Sequence, residues 1–83
     1  MTERIIKTND TEANHVLYQH QRFIIRSSKE KYRVNEVFHF LLYRNKRPVD
    51  NIVGKDAYLI TLVMDDKLLP LEKGYQLIAF REL

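Results

Sequence analysis

Short apolar runs separated by polar turns are the main pattern along this 83-residue chain, and they predict several strands and a single helix. Runs of β-branched and aromatic residues predict strands at residues 4–8, 22–26, 58–64 and 75–80. Two shorter strands are expected at residues 31–34 and 68–71, and Pro70 would keep the second of them at a sheet edge.

The clearest helical periodicity lies in the middle of the chain and predicts a helix over residues 35–47. Five apolar residues have the spacing of one helix face: Val34, Val37, Phe38, Leu41 and Leu42. Asn35 is a candidate N-cap, and Pro48 would end the helix after a basic last turn. A strand is the alternative, because residues 37–43 are rich in β-forming side chains.

Polar stretches predict the connections between these elements. Turns are expected at residues 9–14, 27–30, 65–67 and 72–74, with a loop at 49–56. Within the strand at 22–26, alternation puts Arg22, Ile24 and Arg26 on one face and Phe23 and Ile25 on the other. We expect Phe23 and Ile25 to face the core.

These elements together predict an α+β fold. We expect a small mixed β-sheet of four to five strands with one helix packed on one face, in a β-grasp-like order. A chain of this length has room for one hydrophobic core, so residues 1–83 are predicted to form a single domain. Residues 1–14 would add an edge strand or a weakly ordered extension.

The composition bears on the cell compartment. The chain has no cysteine, so it must be held together by packing, as suits a reducing compartment. The first residues, including Arg4 and Lys7, are too charged for a signal peptide, and no apolar run approaches the length of a membrane span. A cytoplasmic protein without membrane contact is therefore expected.

Charge is distributed unevenly along the chain. Residues 22–47 carry eight basic and two acidic side chains, a net charge of +6, although the whole chain has only +3. A basic region of this kind attracts nucleic acid, phosphate or an acidic protein surface. The predicted partner-binding residues are Arg22, Arg26, Lys29, Lys31, Tyr32, Arg33, Tyr43, Arg44, Lys46 and Arg47.

No constellation of residues predicts catalysis, a metal site or a cofactor. Ser27 and Ser28 are adjacent turn residues, and neither lies in the glycine-flanked sequence typical of a nucleophilic serine. His15, His20 and His39 lack the spacing and the companion ligands of a zinc site. The pair Asp65–Asp66 is explained by a turn, and Gly54 and Gly74 are too far apart for a phosphate-binding loop.

The sequence therefore favours a small non-catalytic interaction module that regulates or inhibits a larger complex. We expect it to dock a basic hairpin and the basic helix end on an acidic protein surface. The alternative is a nucleic-acid-binding domain in which Tyr32 or Tyr43 stacks on bases. A ribonuclease of the small-toxin kind is a third hypothesis, and a homodimer formed through a sheet edge is compatible with each. The basic residues also have a purely structural explanation, since they favour solubility and the ends of helices.

Overall fold

The computed structural model describes residues 4–49 and 56–83. Its elements in chain order are β1 (Arg4–Thr8), α1 (Asp10–Tyr18), β2 (Phe23–Ser27), β3 (Val37–Arg44), β4 (Arg47–Val49), β5 (Ala57–Asp65) and β6 (Tyr75–Glu82). The described ranges thus form an α+β fold with one helix and a mixed sheet of six strands. The α+β class, the single helix and the mixed sheet are confirmed. The predicted four to five strands and the β-grasp-like order are not, because six strands lie in the described ranges and the helix follows the first strand.

The helix begins where the sequence predicted a turn. Asn9 is its N-cap, and its side-chain oxygen accepts a hydrogen bond of 2.9 Å from the backbone N–H of Glu12. The prediction of a turn at residues 9–14 was wrong because asparagine and aspartate favour turns and helix caps for the same reason, a short side chain that bonds the local backbone. Ala13 and Val16 are the buried residues of α1. At nine residues, α1 is too short to cross a membrane, and the described ranges contain no longer helix.

The predicted helix at residues 35–47 is wrong. Most of that segment is β3, in which Phe38, Phe40 and Leu42 are buried while the residues between them are half-buried. Residues 37–43 include apolar side chains on both faces, so a helical spacing can be selected from them although the real period is two. Asn35 has a φ of 76° and is therefore not a helix cap. The alternative of a strand is the one that the structure confirms.

Four of the predicted strands are present in the structure. The strands predicted at 4–8, 22–26, 58–64 and 75–80 correspond to β1, β2, β5 and β6. The short strands predicted at 31–34 and 68–71 are wrong, because both segments form turns and irregular structure. Most of the loop predicted at 49–56 lies outside the described residues.

The sheet has the strand order β1-β3-β5-β6-β2, with β4 also paired to β3. β1 runs parallel to β3, and the other pairs are antiparallel. In a flat sheet the two end strands, β1 and β2, would lie four strand spacings apart, about 19 Å. The Arg26 side chain on β2 nevertheless donates a hydrogen bond of 2.8 Å to the Lys7 carbonyl oxygen on β1. The sheet is therefore curled, and its two ends approach each other.

The core fills the concave inner face of this curled sheet. Four rings, Phe38, Phe40, Tyr58 and Phe80, contact one another with centroid distances of 5.1 to 5.7 Å. Val16 of α1 and Tyr32 of the β2–β3 connection belong to the same buried cluster. The β1–β2 connection, which contains α1, and the β2–β3 connection therefore both cover the inner face of the sheet. Neither of them covers the outer face.

The two faces of β2 are the reverse of the prediction. Ile24 is 1% exposed, whereas Phe23 and Ile25 are 44% and 37% exposed on the outer face. The expectation that Phe23 and Ile25 face the core is wrong. Apolar residues occupy both faces of this strand, so alternation alone does not determine which face is buried. The inner side also holds Arg22 and Arg26, because α1 provides hydrogen-bonding partners for both.

Candidate interaction surface

Among the residues that the structure describes, the connection between β2 and β3, residues 28–36, carries the largest group of unpaired cations. We call it the basic loop. Lys29, Lys31 and Arg33 are exposed in it, and none of the three forms an ion pair with any residue in the described ranges. These three are among the residues predicted from sequence to bind a partner.

Hydrogen bonds at both ends fix the backbone of the basic loop. At its start, the buried Gln76 side chain donates to the carbonyl oxygens of Ser27, at 3.0 Å, and Glu30, at 2.6 Å. At its end, Asn35 and Glu36 exchange backbone hydrogen bonds of 2.8 and 2.9 Å with Ile60 on β5. The loop is thus held between β6 and β5.

Tyr32 anchors the middle of the basic loop. The residue is 9% exposed, and its hydroxyl donates a hydrogen bond of 2.7 Å to Glu30 Oε2. Burial, assisted by the Glu30 carboxylate, raises the pKa of Tyr32 to about 12. The Arg4 guanidinium lies 4.2 Å from the ring centroid, and its Nη1 also donates to the Lys31 carbonyl oxygen. Tyr32 therefore holds the loop in place and has little surface left for a partner.

A shallow depression opens beside the basic loop where β3 begins. Arg33 N–H donates to Glu36 Oε1 at 2.5 Å, and Arg4 forms an ion pair of 3.5 Å with the other oxygen of the same carboxylate. Val34 is 49% exposed there, so an apolar side chain lies among the cations. The lining residues are Arg4, Lys31, Arg33, Val34, Asn35, Glu36 and Val37.

Arg22 and Arg26, predicted as partner-binding residues, are engaged within the chain. Arg22 donates to the Val16 carbonyl oxygen and to Glu82 Oε1, both at 2.8 Å. Arg26 makes a bidentate contact with Glu12, at 2.5 and 2.9 Å, in addition to its bond to β1. The sequence placed both arginines on an exposed face, but they lie against α1 and at the closure of the curled sheet.

The other half of the predicted basic surface lies at the far end of β3. An eight-residue strand is about 25 Å long, and this length separates the basic loop from Lys46 and Arg47 in the β3–β4 hairpin. Arg44 is bound to Asp10 through contacts of 2.7 to 3.0 Å, and these hydrogen bonds lower the pKa of the Asp10 carboxyl. Tyr43 is half-buried, with the Lys7 ammonium 5.0 Å from its ring centroid. The structure therefore divides the predicted patch into two separate groups.

Arg4 is the residue of this surface that sequence reasoning missed. It reaches the basic loop because β1 pairs in parallel with β3 and brings Arg4 opposite Phe38. The sequence shows a weak strand at residues 4–8, but it gives no signal for the strand with which that segment pairs.

The histidines do not converge on one site. His15 lies on α1, His20 follows the helix with a φ of 56°, and His39 lies on β3. Within the described residues there is no group of three or more histidine, cysteine, aspartate or glutamate side chains arranged to hold a metal ion.

Comparison of the chain with models of known protein families finds no match, and comparison with curated proteins finds none either.

Proposed function

We propose that this protein is a non-catalytic interaction module that binds an acidic surface of a partner protein through its basic loop and thereby regulates a larger complex. One observation carries the proposal. The backbone of the loop is fixed by Gln76, Tyr32 and Ile60, while the three cations that it presents have no partner in the described part of the chain.

Pre-organisation explains why such a loop favours binding. A flexible cationic loop loses conformational entropy when it is ordered by a partner, whereas a loop that is already ordered avoids most of that cost. A cluster of exposed cations also increases the rate of encounter with an acidic partner. The fixed backbone and the free charges therefore act in the same direction.

The depression beside the loop adds chemical selectivity. An acidic peptide would place its carboxylates near Lys31 and Arg33, and Val34 would contact an apolar side chain of the same peptide. Arg4 balances the charge of Glu36 through their ion pair. The Glu30 carboxylate, which accepts from the Tyr32 hydroxyl, offsets one of the three loop cations, so the loop keeps a net positive charge. We therefore infer that the partner segment is acidic with interspersed apolar residues.

A nucleic acid is the second candidate, and the same three cations support it because they would also contact phosphates. Stacking on bases has less support, since Tyr32 is buried and Arg4 covers its ring. Binding of RNA would then depend on phosphate contacts alone, with little preference for base sequence.

The experiment compares two variants that change the net charge equally. The first reverses the loop, with Lys29→Glu, Lys31→Glu and Arg33→Glu. The control reverses three exposed cations elsewhere, with Lys46→Glu, Arg47→Glu and Lys73→Glu. The probes are a fluorescent peptide of glutamate, aspartate and leucine residues and a single-stranded RNA of mixed sequence, each titrated at several salt concentrations.

We expect the unmodified protein and the control variant to bind the acidic peptide and the loop variant to lose at least tenfold in affinity. Tighter binding of RNA than of peptide, with a logarithmic salt slope of about −2 for three phosphate contacts, would instead select the nucleic-acid function. Equal loss of affinity in the two variants would refute the role of the loop, because net charge alone would then explain binding.

A further inference from the structure

The outer face of the sheet carries an uncharged apolar patch of six residues on β2, β6 and β5. The strand register aligns them in two rows: Phe23, Ala79 and Leu62 in the first, and Ile25, Leu77 and Met64 in the second. Phe23, Ile25 and Leu62 are 44%, 37% and 46% exposed. Exposed apolar residues that are contiguous across three strands are typical of interfaces.

Strand addition at the β2 edge is opposed by side chains. The carbonyl oxygens of Phe23, Ile25 and Ser27 accept hydrogen bonds from Gln21, Arg26 and Gln76 respectively. An incoming strand needs such outward carbonyl groups as acceptors, and here each of the three already has a donor. The face of the sheet is therefore a better binding surface than this edge.

The order of residues along β6 is self-complementary. Its outer face presents Tyr75, Leu77, Ala79 and Arg81 in sequence. A twofold axis in the plane of the interface, crossing β6 at the level of Ile78, would place Leu77 of one copy over Ala79 of the other. The same axis would place Arg81 over Tyr75, which is 40% exposed, so that a cation meets an aromatic ring and not another cation.

The flanking strands obey the same symmetry. The axis would bring Phe23 of one copy over Ile25 of the second copy, and Leu62 over Met64. Large side chains would then meet across two antiparallel-aligned sheets, as in the packing of β-sandwiches. The patch thus fits itself without a contact between like charges.

The available area sets the strength of such a contact. Three strands about 4.8 Å apart and about seven residues long cover a projected area of about 330 Å² on each copy. Because the outer face of the curled sheet is convex, two copies would bury at most roughly 700 to 1,000 Å² of accessible surface, and contacts of this size are typical of weak, reversible complexes. We propose that the chain forms a weak isologous homodimer through this outer face. The basic loop covers the inner face and remains accessible, so this inference does not depend on the proposed function.

Sedimentation velocity over a range of protein concentrations tests the dimer. We expect reversible dimerisation and an increase of at least tenfold in its dissociation constant in Leu62→Lys. Leu68→Lys is the matched control, because Leu68 is 68% exposed outside the patch, and it should dimerise like the unmodified chain. A chain that remains monomeric at millimolar concentration, or equal dimerisation of the two variants, would overturn the proposal.

Cross-linking tests the symmetry in a chain that has no cysteine of its own. Tyr75→Cys and Arg81→Cys proteins are mixed and treated with a short bis-maleimide. The proposed axis brings positions 75 and 81 of different copies together and separates the two copies of position 75 by about 20 Å. Mixed cross-links should exceed those between identical variants, and the opposite ratio would contradict the proposed dimer.

Discussion

The β3–β4 hairpin shows how the backbone constrains single residues. Its two turn residues, Asn45 and Lys46, have φ values of 50° and 63°. Both are left-handed, as in the two-residue turns that match the twist of antiparallel strands. Asparagine tolerates this region well, whereas lysine is strained in it by about 1 kcal/mol or more.

Replacing Lys46 by glycine should therefore stabilise the protein. We expect Lys46→Gly to raise the free energy of unfolding by about 1 kcal/mol, since glycine adopts a positive φ without steric cost. Urea denaturation followed by circular dichroism measures the change. Lys46→Ala is the control, because it removes the charge but retains the strain. Equal stabilisation by alanine would show that the charge, and not the backbone, is responsible.

Tyr32 links stability to pH at the same scale. Its pKa is about 12 in the folded protein and 10.0 in the unfolded chain, so the folded state binds the phenol proton more tightly. This contribution to stability is fully present below pH 10 and is lost as the pH rises through 12. We expect the free energy of unfolding to fall over this interval in the unmodified protein and to fall less in Tyr32→Phe. Parallel pH profiles of the two proteins would contradict the raised pKa of Tyr32.

The sequence predicts the roles of some of the basic residues and not of others. The basic character of residues 29–33 was evident from the sequence, and the structure leaves all three cations there exposed. The internal bonds of Arg22 and Arg26 are not predictable from the sequence, because they depend on a helix whose first half lies in a segment that the sequence predicts as a turn. An arginine on a predicted strand is expected to be exposed unless the element that packs against that strand is known.

At the scale of elements, two Arg–carboxylate pairs join the first turn of α1 to the sheet, and they differ in their exposure to water. Arg26 and Glu12 have side-chain exposures of 22% and 20%, whereas Arg44 and Asp10 have 58% and 50%. Water competes for the exposed pair and screens it, so its contribution to stability is small. The half-buried pair also connects β1, α1 and β2 through the Lys7 carbonyl oxygen.

These surroundings predict unequal effects of equivalent substitutions. We expect Arg26→Ala to lower the free energy of unfolding by about 2 kcal/mol, since it leaves a half-buried carboxylate without its charged donor. Arg44→Ala should cost clearly less than Arg26→Ala, because water screens the exposed Arg44–Asp10 pair. Urea denaturation of the two variants at one salt concentration gives the comparison. Similar losses in both would mean that Arg26 does not close the curled sheet.

The elements differ in how well the sequence predicts them. β5 and β6 have strong β-formers between clear turns, and their positions were predicted to within two residues. β3 was predicted as a helix because neither of its faces is predominantly polar. Polar and apolar residues therefore do not alternate along it with the period of two that is typical of a strand. The β1–β3 pairing joins segments about 30 residues apart, and local pattern carries no information about such a partner.

At the scale of the whole molecule, the curled sheet separates two surfaces of different chemistry. α1 and the basic loop cover the inner face, and the loop presents Lys29, Lys31 and Arg33 at one end of the molecule. The outer face presents the apolar rows of β2, β6 and β5. A dimer formed by the outer face would carry two basic loops, and a partner with two acidic segments would then bind more tightly through avidity.

A titration of ¹⁵N-labelled protein with the acidic peptide, followed by amide chemical shifts, tests directly whether the basic loop is the binding surface. We expect the largest shift changes on residues 29–36 and on Arg4, with little change at Lys46, at Arg47 or in the outer apolar rows. Shift changes concentrated in the β3–β4 hairpin or on the outer face, with the basic loop unaffected, would contradict it.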